Sequence, residues 1–181
     1  SKDEHWLWFY MGFPPSQNKI LGAINMDPDK PKIFKFPQLS HEGSSPMVSD
    51  EGDGVYFCMG PSVWFYKIGN EPEKVCTLDK DYINNRRLYR LATHLTRSSD
   101  KKYFLLDGEI GNLCFISVGD TKTGKVKVLK EFKREYNHAQ FSPCNPRLFS
   151  IAQDWWNDKI TGQFFNFDHR IWLMDVDQTR Y

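Results

Sequence analysis

The feature of this 181-residue sequence that most restricts its fold is an internal repeat. Tyr56, Tyr103 and Leu148 each lie near the start of a short hydrophobic run, and they are separated by 47 and then 45 residues. Clusters of Gly, Pro, Asp and Asn divide each round into runs with the length and composition of β-strands. A repeat of about 40 to 50 residues with about four strands is typical of a β-propeller blade. The sequence therefore predicts an all-β fold, a β-propeller of four-stranded antiparallel blades.

The repeat predicts about four blades, the first and last of them incomplete. We assign a partial blade to residues 1–39, blades to 44–79 and 91–130, and a partial blade to 137–181. The first is predicted to hold three antiparallel strands, of which the third ends at Pro37. The third blade is predicted to begin with a strand at 91–96, after a loop at 79–90 with at most a helical turn. Because closed rings have about four to eight blades, we expect these residues to belong to a longer chain.

Composition excludes some functions and leaves others open. With 24 basic and 23 acidic residues the net charge is +1, which provides no broad field for nucleic acid or an anionic membrane. No run of about 18 apolar residues occurs, so no membrane span is predicted. The four cysteines form no Cys-x-x-Cys pair and are interpreted as small buried hydrophobic residues. The first residues do not resemble a signal peptide, and cytoplasmic and periplasmic locations both stay open.

The residues best suited to chemistry lie between 137 and 172. The first strand of each propeller blade lines the central channel, which places His138, and His94 one round earlier, at the channel. A histidine there can belong to the hydrogen-bonded channel wall or can contact a ligand. Gln153 and Asp154 follow the next strand and begin an unusually long insertion, 153–168. Its Trp155 can stack on a sugar ring or cover a neighbouring blade.

Arg170 follows this insertion, directly after His169. An arginine at the start of a strand is commonly an ion-pair partner, here of Asp154 or Asp168, but it can also hold an anionic ligand. A second basic cluster that could bind carboxylates consists of Arg86, Arg87 and Arg90. The histidines are scattered, so the residues themselves predict no metal site in this span.

The motif His138-x-x-x-x-Pro143, a hydrophobic strand ending at Gln153-Asp154, a variable loop and then Arg170-x-Trp172-Leu173 resembles the oligogalacturonate lyases. These are seven-bladed propeller enzymes that degrade pectin fragments. The resemblance is clearest over residues 137–178. It implies β-elimination of short anionic uronic-acid oligosaccharides, with Arg170 as a catalytic residue. The substrate-binding residues that we assign on this basis are His138, Gln153, Asp154, Trp155 and His169.

In such a β-elimination a base removes the proton next to the uronate carboxylate, and the glycosidic oxygen leaves from the adjacent carbon. A cation on the carboxylate lowers this barrier. The lyases tend to carry a His-Glu pair where this chain has Gln153-Asp154. Their other catalytic histidine and their manganese ligands belong to later blades. The resemblance therefore implies Mn²⁺ for a full-length protein, no metal ligands in this span, and no activity of this segment by itself.

Two other functions stay open. One is a non-catalytic propeller of the TolB or WD-repeat kind, a protein-interaction platform in which the Trp-containing insertion is the interface. The other is a propeller glycosidase, which needs two carboxylates near the channel mouth, and for which Asp154 and Asp168 are the candidates.

Overall fold

The computed structural model describes residues 5–12, 15, 19–41 and 45–177, without the side chains of 37–41. Within these residues, regular structure consists of strands and one short helix. The first strands are β1 Trp6–Gly12, β2 Lys19–Asn25, β3 Lys32–His41, β4 Met47–Val48, β5 Gly54–Met59, β6 Ser62–Lys67 and β7 Glu73–Leu78, before helix α1 Lys80–Ile83. After it come β8 Leu88–Arg90, β9 Thr96–Arg97, β10 Tyr103–Ile110, β11 Leu113–Asp120, β12 Lys125–Phe132, β13 Tyr136–Phe141, β14 Leu148–Gln153, β15 Trp156–Asn157, β16 Phe164–Phe165 and β17 Ile171–Asp175.

The strands form four successive antiparallel units, which we call blades A to D. Blade A has the order β1-β2-β3, and blade B the order β4-β5-β6-β7. In blade C both β8 and β9 pair with β10, which continues to β11 and β12. Blade D has the order β13-β14-β17, with the small hairpin β15-β16 inserted between β14 and β17. This nearly all-β arrangement of repeated sheets is the predicted β-propeller architecture.

Both faces of blades B and C are buried against neighbouring blades, and this explains their nearly continuous hydrophobic strands. In β5 the side chains alternate: Val55 and Phe57 pack on blade A, whereas Cys58 packs on blade C. In β10 Phe104 packs on blade B and Leu105 on blade D. The alternation that directs side chains to opposite faces of a strand therefore serves two hydrophobic cores at once.

The innermost segments of blades B, C and D lie side by side, at the position that the central channel has in a propeller. Ser45 and His94 form a parallel bridge between blades B and C. Between blades C and D, Thr96 Oγ1 accepts a hydrogen bond from the Phe141 amide at 3.2 Å. Because these segments run beside one another, side chains from different blades meet in the channel.

Blades B and C are also joined at their outer strands. Lys125 and Val126 of β12 pair in parallel with Thr77 and Leu78 of β7, so the two blades form one nine-stranded sheet. Gly119 of β11 lies so close to Cys76 that a Cβ at this position would meet the Cys76 sulfur. The close approach of the two blades therefore depends on a residue without a side chain.

Two strand predictions need correction. Strand β3 does not end at Pro37, because the register moves from the pair Leu21–Phe36 to the pair Ile20–Ser40. Pro37 lies in the resulting bulge, where a missing amide proton is tolerated. No strand spans 91–96, since Thr93 gives its amide to the side chain of Asp107 (2.7 Å) rather than to a neighbouring strand.

The remaining predictions concern the helix and the cysteines. The segment 79–90 holds helix α1, capped by Asp79 Oδ1, which accepts a hydrogen bond from the Asp81 amide at 2.8 Å. Cys144 is exposed, contrary to its predicted burial, whereas the other three cysteines are buried. Burial raises the pKa of the Cys76 thiol to about 12, which makes it unreactive. No helix in the described residues has the length and apolar character needed to cross a membrane.

Candidate functional site

Two histidines from different blades meet in the channel. His94 Nε2 lies 2.9 Å from His138 Nδ1, and the ring centroids are 5.0 Å apart, so the rings meet through these two nitrogens. His138 is exposed and His94 is partly buried. A hydrogen bond between two imidazoles needs one protonated and one unprotonated nitrogen. At least one ring of this pair must therefore be neutral when the hydrogen bond is formed.

A buried carboxylate holds the backbone around this pair. Asp107, on β10, is fully buried, and its Oδ1 accepts the Thr93 amide at 2.7 Å. Its Oδ2 accepts the Thr93 hydroxyl and the Ala139 amide, the latter at 3.3 Å. Thr93 Oγ1 in turn accepts the His138 amide at 3.1 Å. Burial raises the pKa of Asp107, although these hydrogen bonds oppose the shift.

His138 adopts an uncommon backbone conformation. Its φ is +50°, in the left-handed region, at a point where the pairing of β13 with β14 is interrupted between Asn137 and Gln140. Such a conformation costs about 1–3 kcal/mol and persists only where the surroundings fix it. The hydrogen bonds that the His138 and Ala139 amides of this bulge donate to Thr93 and Asp107 provide that constraint.

A chain of charged side chains begins at the channel mouth between blades C and D. Arg90 Nη2 lies 2.7 Å from Glu135 Oε1, and Arg90 Nη1 lies 3.9 Å from Glu109 Oε2. Lys159 from the insertion also pairs with Glu109. Desolvation, together with Arg90 and Arg87, lowers the pKa of Lys159. Blade C and the insertion are therefore connected by alternating positive and negative groups.

The same chain continues to Arg170 on blade D. Asn137 Nδ2 donates to Glu135 Oε1 at 3.2 Å and to Asp154 Oδ2 at 3.3 Å. Asp154 Oδ1 accepts a hydrogen bond from Arg170 Nη1 at 2.9 Å, and the Arg170 guanidinium lies 5.5 Å from the Phe167 ring centroid. Arg170 is 48% exposed and makes no other side-chain hydrogen bond within the described residues. Its Nε and Nη2 are therefore available to a ligand.

The insertion contacts blade C and borders an open cavity. Asn112 Nδ2 donates to Asp158 Oδ2 at 3.0 Å, and the Lys159 amide donates to Asn112 Oδ1 at 2.9 Å. Trp155 is 56% exposed and stacks on Phe164, with 6.3 Å between ring centroids. The cavity has a volume of about 340 Å³ and is lined by Arg90, Glu135, Asn137, Asp154, Trp155, Trp156, Asn157 and Lys159.

The predicted site residues fall into two groups. Asp154 and Trp155 line the cavity, Arg170 binds Asp154, and His138 follows the cavity residue Asn137 along β13. Gln153 and His169 lie elsewhere. Gln153 is 2% exposed, and its Oε1 accepts the Asp168 amide at 3.2 Å. The ring of His169 packs on Trp172, with 6.0 Å between centroids. The substrate-binding roles assigned to these residues stay predictions.

Two residues of the site, Glu135 and Lys159, belong to no local sequence pattern. Arg90 belongs to the arginine cluster predicted to bind carboxylates, and it pairs with those of Glu109 and Glu135. The role of Asp107 could have been inferred from the sequence, because a carboxylate within a buried hydrophobic strand requires hydrogen-bond donors around it.

The two carboxylates proposed for a glycosidase, Asp154 and Asp168, bind different arginines. Asp154 binds Arg170, whereas Asp168 binds Arg134 at 2.9 Å.

The described residues do not fit a manganese site by themselves. They include no group of three or more His, Cys, Asp or Glu side chains that could hold a metal ion. The two imidazoles that do meet, those of His94 and His138, are hydrogen-bonded to each other. The described residues therefore offer no ligand set for the Mn²⁺ that the resemblance implies.

Comparison with known proteins shows similarity at the level of the fold. The sequence matches no protein-family model and no curated protein. A solved structure of oligogalacturonate lyase in complex with manganese is similar with a TM-score of 0.69 and 15% identity, over 99% of this chain and 49% of that one. Oligogalacturonate lyase from Vibrio parahaemolyticus gives 0.58 and 11%, over 97% of this chain and 58% of that one. The β-propeller domain of Cps50 (Swd1) from Myceliophteria thermophila gives 0.51 and 10%, over 94% and 52%. The chain thus spans about half the length of these propellers, to which it is distantly related in structure.

Proposed function

We propose that this chain forms part of a β-propeller that binds anionic uronic-acid oligosaccharides at its channel mouth and, in the full-length protein, cleaves them by β-elimination. The observation that carries this proposal is Arg170, an exposed arginine beside a cavity of about 340 Å³ with one edge of its guanidinium unpaired among the described residues. The similarity in fold to oligogalacturonate lyases supports the same reading.

Arg170 is suited to hold the uronate carboxylate. A guanidinium stays charged at ordinary pH and can bind a carboxylate through two parallel hydrogen bonds. Asp154 and the Phe167 ring orient it without occupying Nε and Nη2. When the proton next to the carboxylate is removed, negative charge grows on the carboxylate. Arg170 would stabilise this charge more strongly in the transition state than in the ground state.

His138 is suited to contact the sugar near the reacting carbon. It is exposed in the channel, and its ring has one nitrogen left over from the hydrogen bond to His94. Depending on the tautomer, that nitrogen can donate to or accept from a sugar hydroxyl. In this proposal Arg170 binds the carboxylate and His138 binds the ring.

The test uses the full-length protein with oligogalacturonates, in the presence and absence of Mn²⁺. We expect an increase in ultraviolet absorbance from the unsaturated uronide product. Arg170→Ala should lower kcat/KM by at least about 100-fold, because it removes a charge-assisted hydrogen bond from the transition state. Arg134→Ala removes an arginine ion-paired to the same insertion and serves as the matched control, with activity within about twofold of the unmodified protein. Near-native activity of a folded Arg170→Ala variant contradicts the assigned role.

A protein-interaction platform is the second candidate, and exposed apolar side chains on the insertion favour it. Ile160 is 81% exposed and Phe164 is 59% exposed. Exposed apolar groups in a cluster are typical of interaction surfaces. If the intact protein cleaves none of several uronides with Mn²⁺ present, the platform becomes the better interpretation.

A further inference from the structure

The cavity beneath the insertion has fixed walls. The insertion is attached to blade C through Asn112, Asp158 and Lys159, and the opposite wall is Asn137 on β13. A volume of about 340 Å³ falls within the range of roughly 300–1,000 Å³ that is usual for small-molecule sites. Because these contacts connect the insertion to a packed blade, the cavity is formed before any ligand enters.

The charges that line this cavity are already neutralised. Arg90 pairs with Glu135, Lys159 pairs with Glu109 behind the wall, and Asp154 pairs with Arg170. A carboxylate entering the cavity would meet two carboxylates there and would have to displace one of them from its cation. Desolvating an anion without a free cation is unfavourable. The cavity therefore disfavours anionic groups.

Three of the residues that line this cavity also carry a buried hydrogen-bonding atom without a partner among the described residues. Trp156 Nε1, Asn137 Oδ1 and Arg90 Nε are buried and have no hydrogen-bond partner within the described residues. Trp156 is 4% exposed and Asn137 is 7% exposed. Two of these groups are donors and one is an acceptor, so a ligand that both accepts and donates would satisfy them once their side chains turn towards the cavity. Hydroxyl groups do both, and the exposed Trp155 ring offers a face for the apolar side of a sugar.

We propose that this cavity is a binding site for an uncharged sugar ring, with Trp156 and Asn137 as its hydrogen-bonding groups and Trp155 as its stacking surface. Arg170 lies directly beside it through Asp154. The natural ligand would then be an oligosaccharide in which a neutral sugar adjoins a uronate. The position of the uronate rests on the proposed function, whereas the preference of the cavity for a neutral ring does not.

A matched pair of ligands tests this preference. Methyl galactopyranoside and methyl galactopyranosiduronate differ only in whether carbon six is a hydroxymethyl group or a carboxylate. Titration of the intact protein, with tryptophan indole resonances followed by NMR, should shift the Trp156 indole signal. We expect the neutral glycoside to bind at least about fivefold more tightly than the uronide. Equal or tighter binding of the uronide, or no response to the neutral glycoside, overturns the inference.

Two variants assign the effect to the cavity. Trp156→Phe should weaken binding of the neutral glycoside about tenfold, which is the loss of affinity expected when one buried hydrogen bond to the ligand is removed. Trp155→Ala, at an exposed position where folding is not at risk, should weaken it by a similar factor. Trp64→Phe is the control, because the Trp64 indole donates to Met59 O at 3.2 Å in blade B, away from the insertion. Unchanged affinity in both cavity variants contradicts the proposal.

The lyase assay separates this inference from the proposed function. Cleavage of oligogalacturonate without neutral-sugar binding would overturn the cavity assignment alone. Neutral-sugar binding without cleavage of any uronide would overturn the lyase proposal alone.

Discussion

Asp107 is a single buried residue that determines how two histidines from different blades meet. It lies at the centre of β10 and accepts hydrogen bonds from both flanking inner segments, through Thr93 and Ala139. Because His94 follows Thr93 and His138 precedes Ala139, the carboxylate fixes the separation of the two imidazoles. Both oxygens of the Asp107 carboxyl group accept hydrogen bonds here, which an amide side chain with a single acceptor oxygen cannot reproduce.

We predict that Asp107→Asn lowers the free energy of unfolding by about 1–3 kcal/mol. The amide keeps one acceptor and directs its NH₂ group at donors, so that Thr93 or Ala139 loses its partner. The change should also break the His94–His138 hydrogen bond, visible in NMR spectra of the imidazole nitrogens. Urea unfolding measures the first effect.

Asp81→Asn is the control for this substitution. Asp81 is an exposed residue of α1, where a neutral replacement should change stability by less than about 0.5 kcal/mol. If the histidine signals of the Asp107→Asn variant match those of the unmodified protein, Asp107 does not position the pair.

At the scale of the structural elements, the attachment of the insertion after β14 depends on the turn at Asp158. Asp158 accepts hydrogen bonds from the Thr161 and Ile160 amides and from Asn112. The Thr161 amide, followed by the Asn112 side chain, lowers the Asp158 pKa from 3.8 to about 2. Attachment of the insertion to blade C is therefore favoured by the charged form of this carboxyl group.

We predict that acid releases the insertion. Because the pKa is lower in the docked state, the stabilisation by Asp158 is fully present above about pH 4 and is lost as pH falls through about 2. Fluorescence of the exposed Trp155 and its neighbour Trp156 should change across this range. Asp158→Asn should remove that transition, and identical profiles for the two proteins would contradict the prediction.

A strand could be predicted from the sequence where the burial of its own side chains determines the structure. The hydrophobic run at β10 predicts a strand with two buried faces, and β10 has them. The segment 91–95 has a similar composition, but Thr93 is bound by Asp107 from another strand. Local sequence carries no information about such a distant partner, and the same holds for the ion pairs of Arg90 with Glu109 and Glu135. For this reason the sequence indicates the insertion and draws attention to Arg170, whose role stays a prediction, but it does not indicate the cavity beside them.

At the scale of the whole molecule, the hydrophobic cores lie between successive blades. One core joins blades A and B, a second joins B and C, and a third joins C and D. In repeat architectures of this kind, stability is approximately a sum of contributions from neighbouring units. The repeat spacing of the sequence already indicated this arrangement, since a blade cannot bury both faces alone.

We predict that core substitutions in different interfaces have additive effects. Phe57→Leu, between blades A and B, and Ile151→Val, between blades C and D, should together lower the free energy of unfolding by the sum of the single changes, within about 0.5 kcal/mol. Leu105→Ala shares the core of Ile151, so this second pair should deviate from additivity by more than about 0.5 kcal/mol. Denaturant unfolding of the single and double variants provides the comparison. The opposite pattern would show that the cores are not independent.

The parallel pairing of β7 with β12 makes blades B and C a single sheet, and this has a consequence for how the molecule opens. Neither blade can separate from the other without breaking backbone hydrogen bonds, such as that from the Thr77 amide to Gly124 O at 3.0 Å. Blades A and D are attached to this pair by side-chain packing and a few hydrogen bonds. Hydrogen exchange should therefore show blades B and C opening together as one cooperative unit, with the highest protection in the chain.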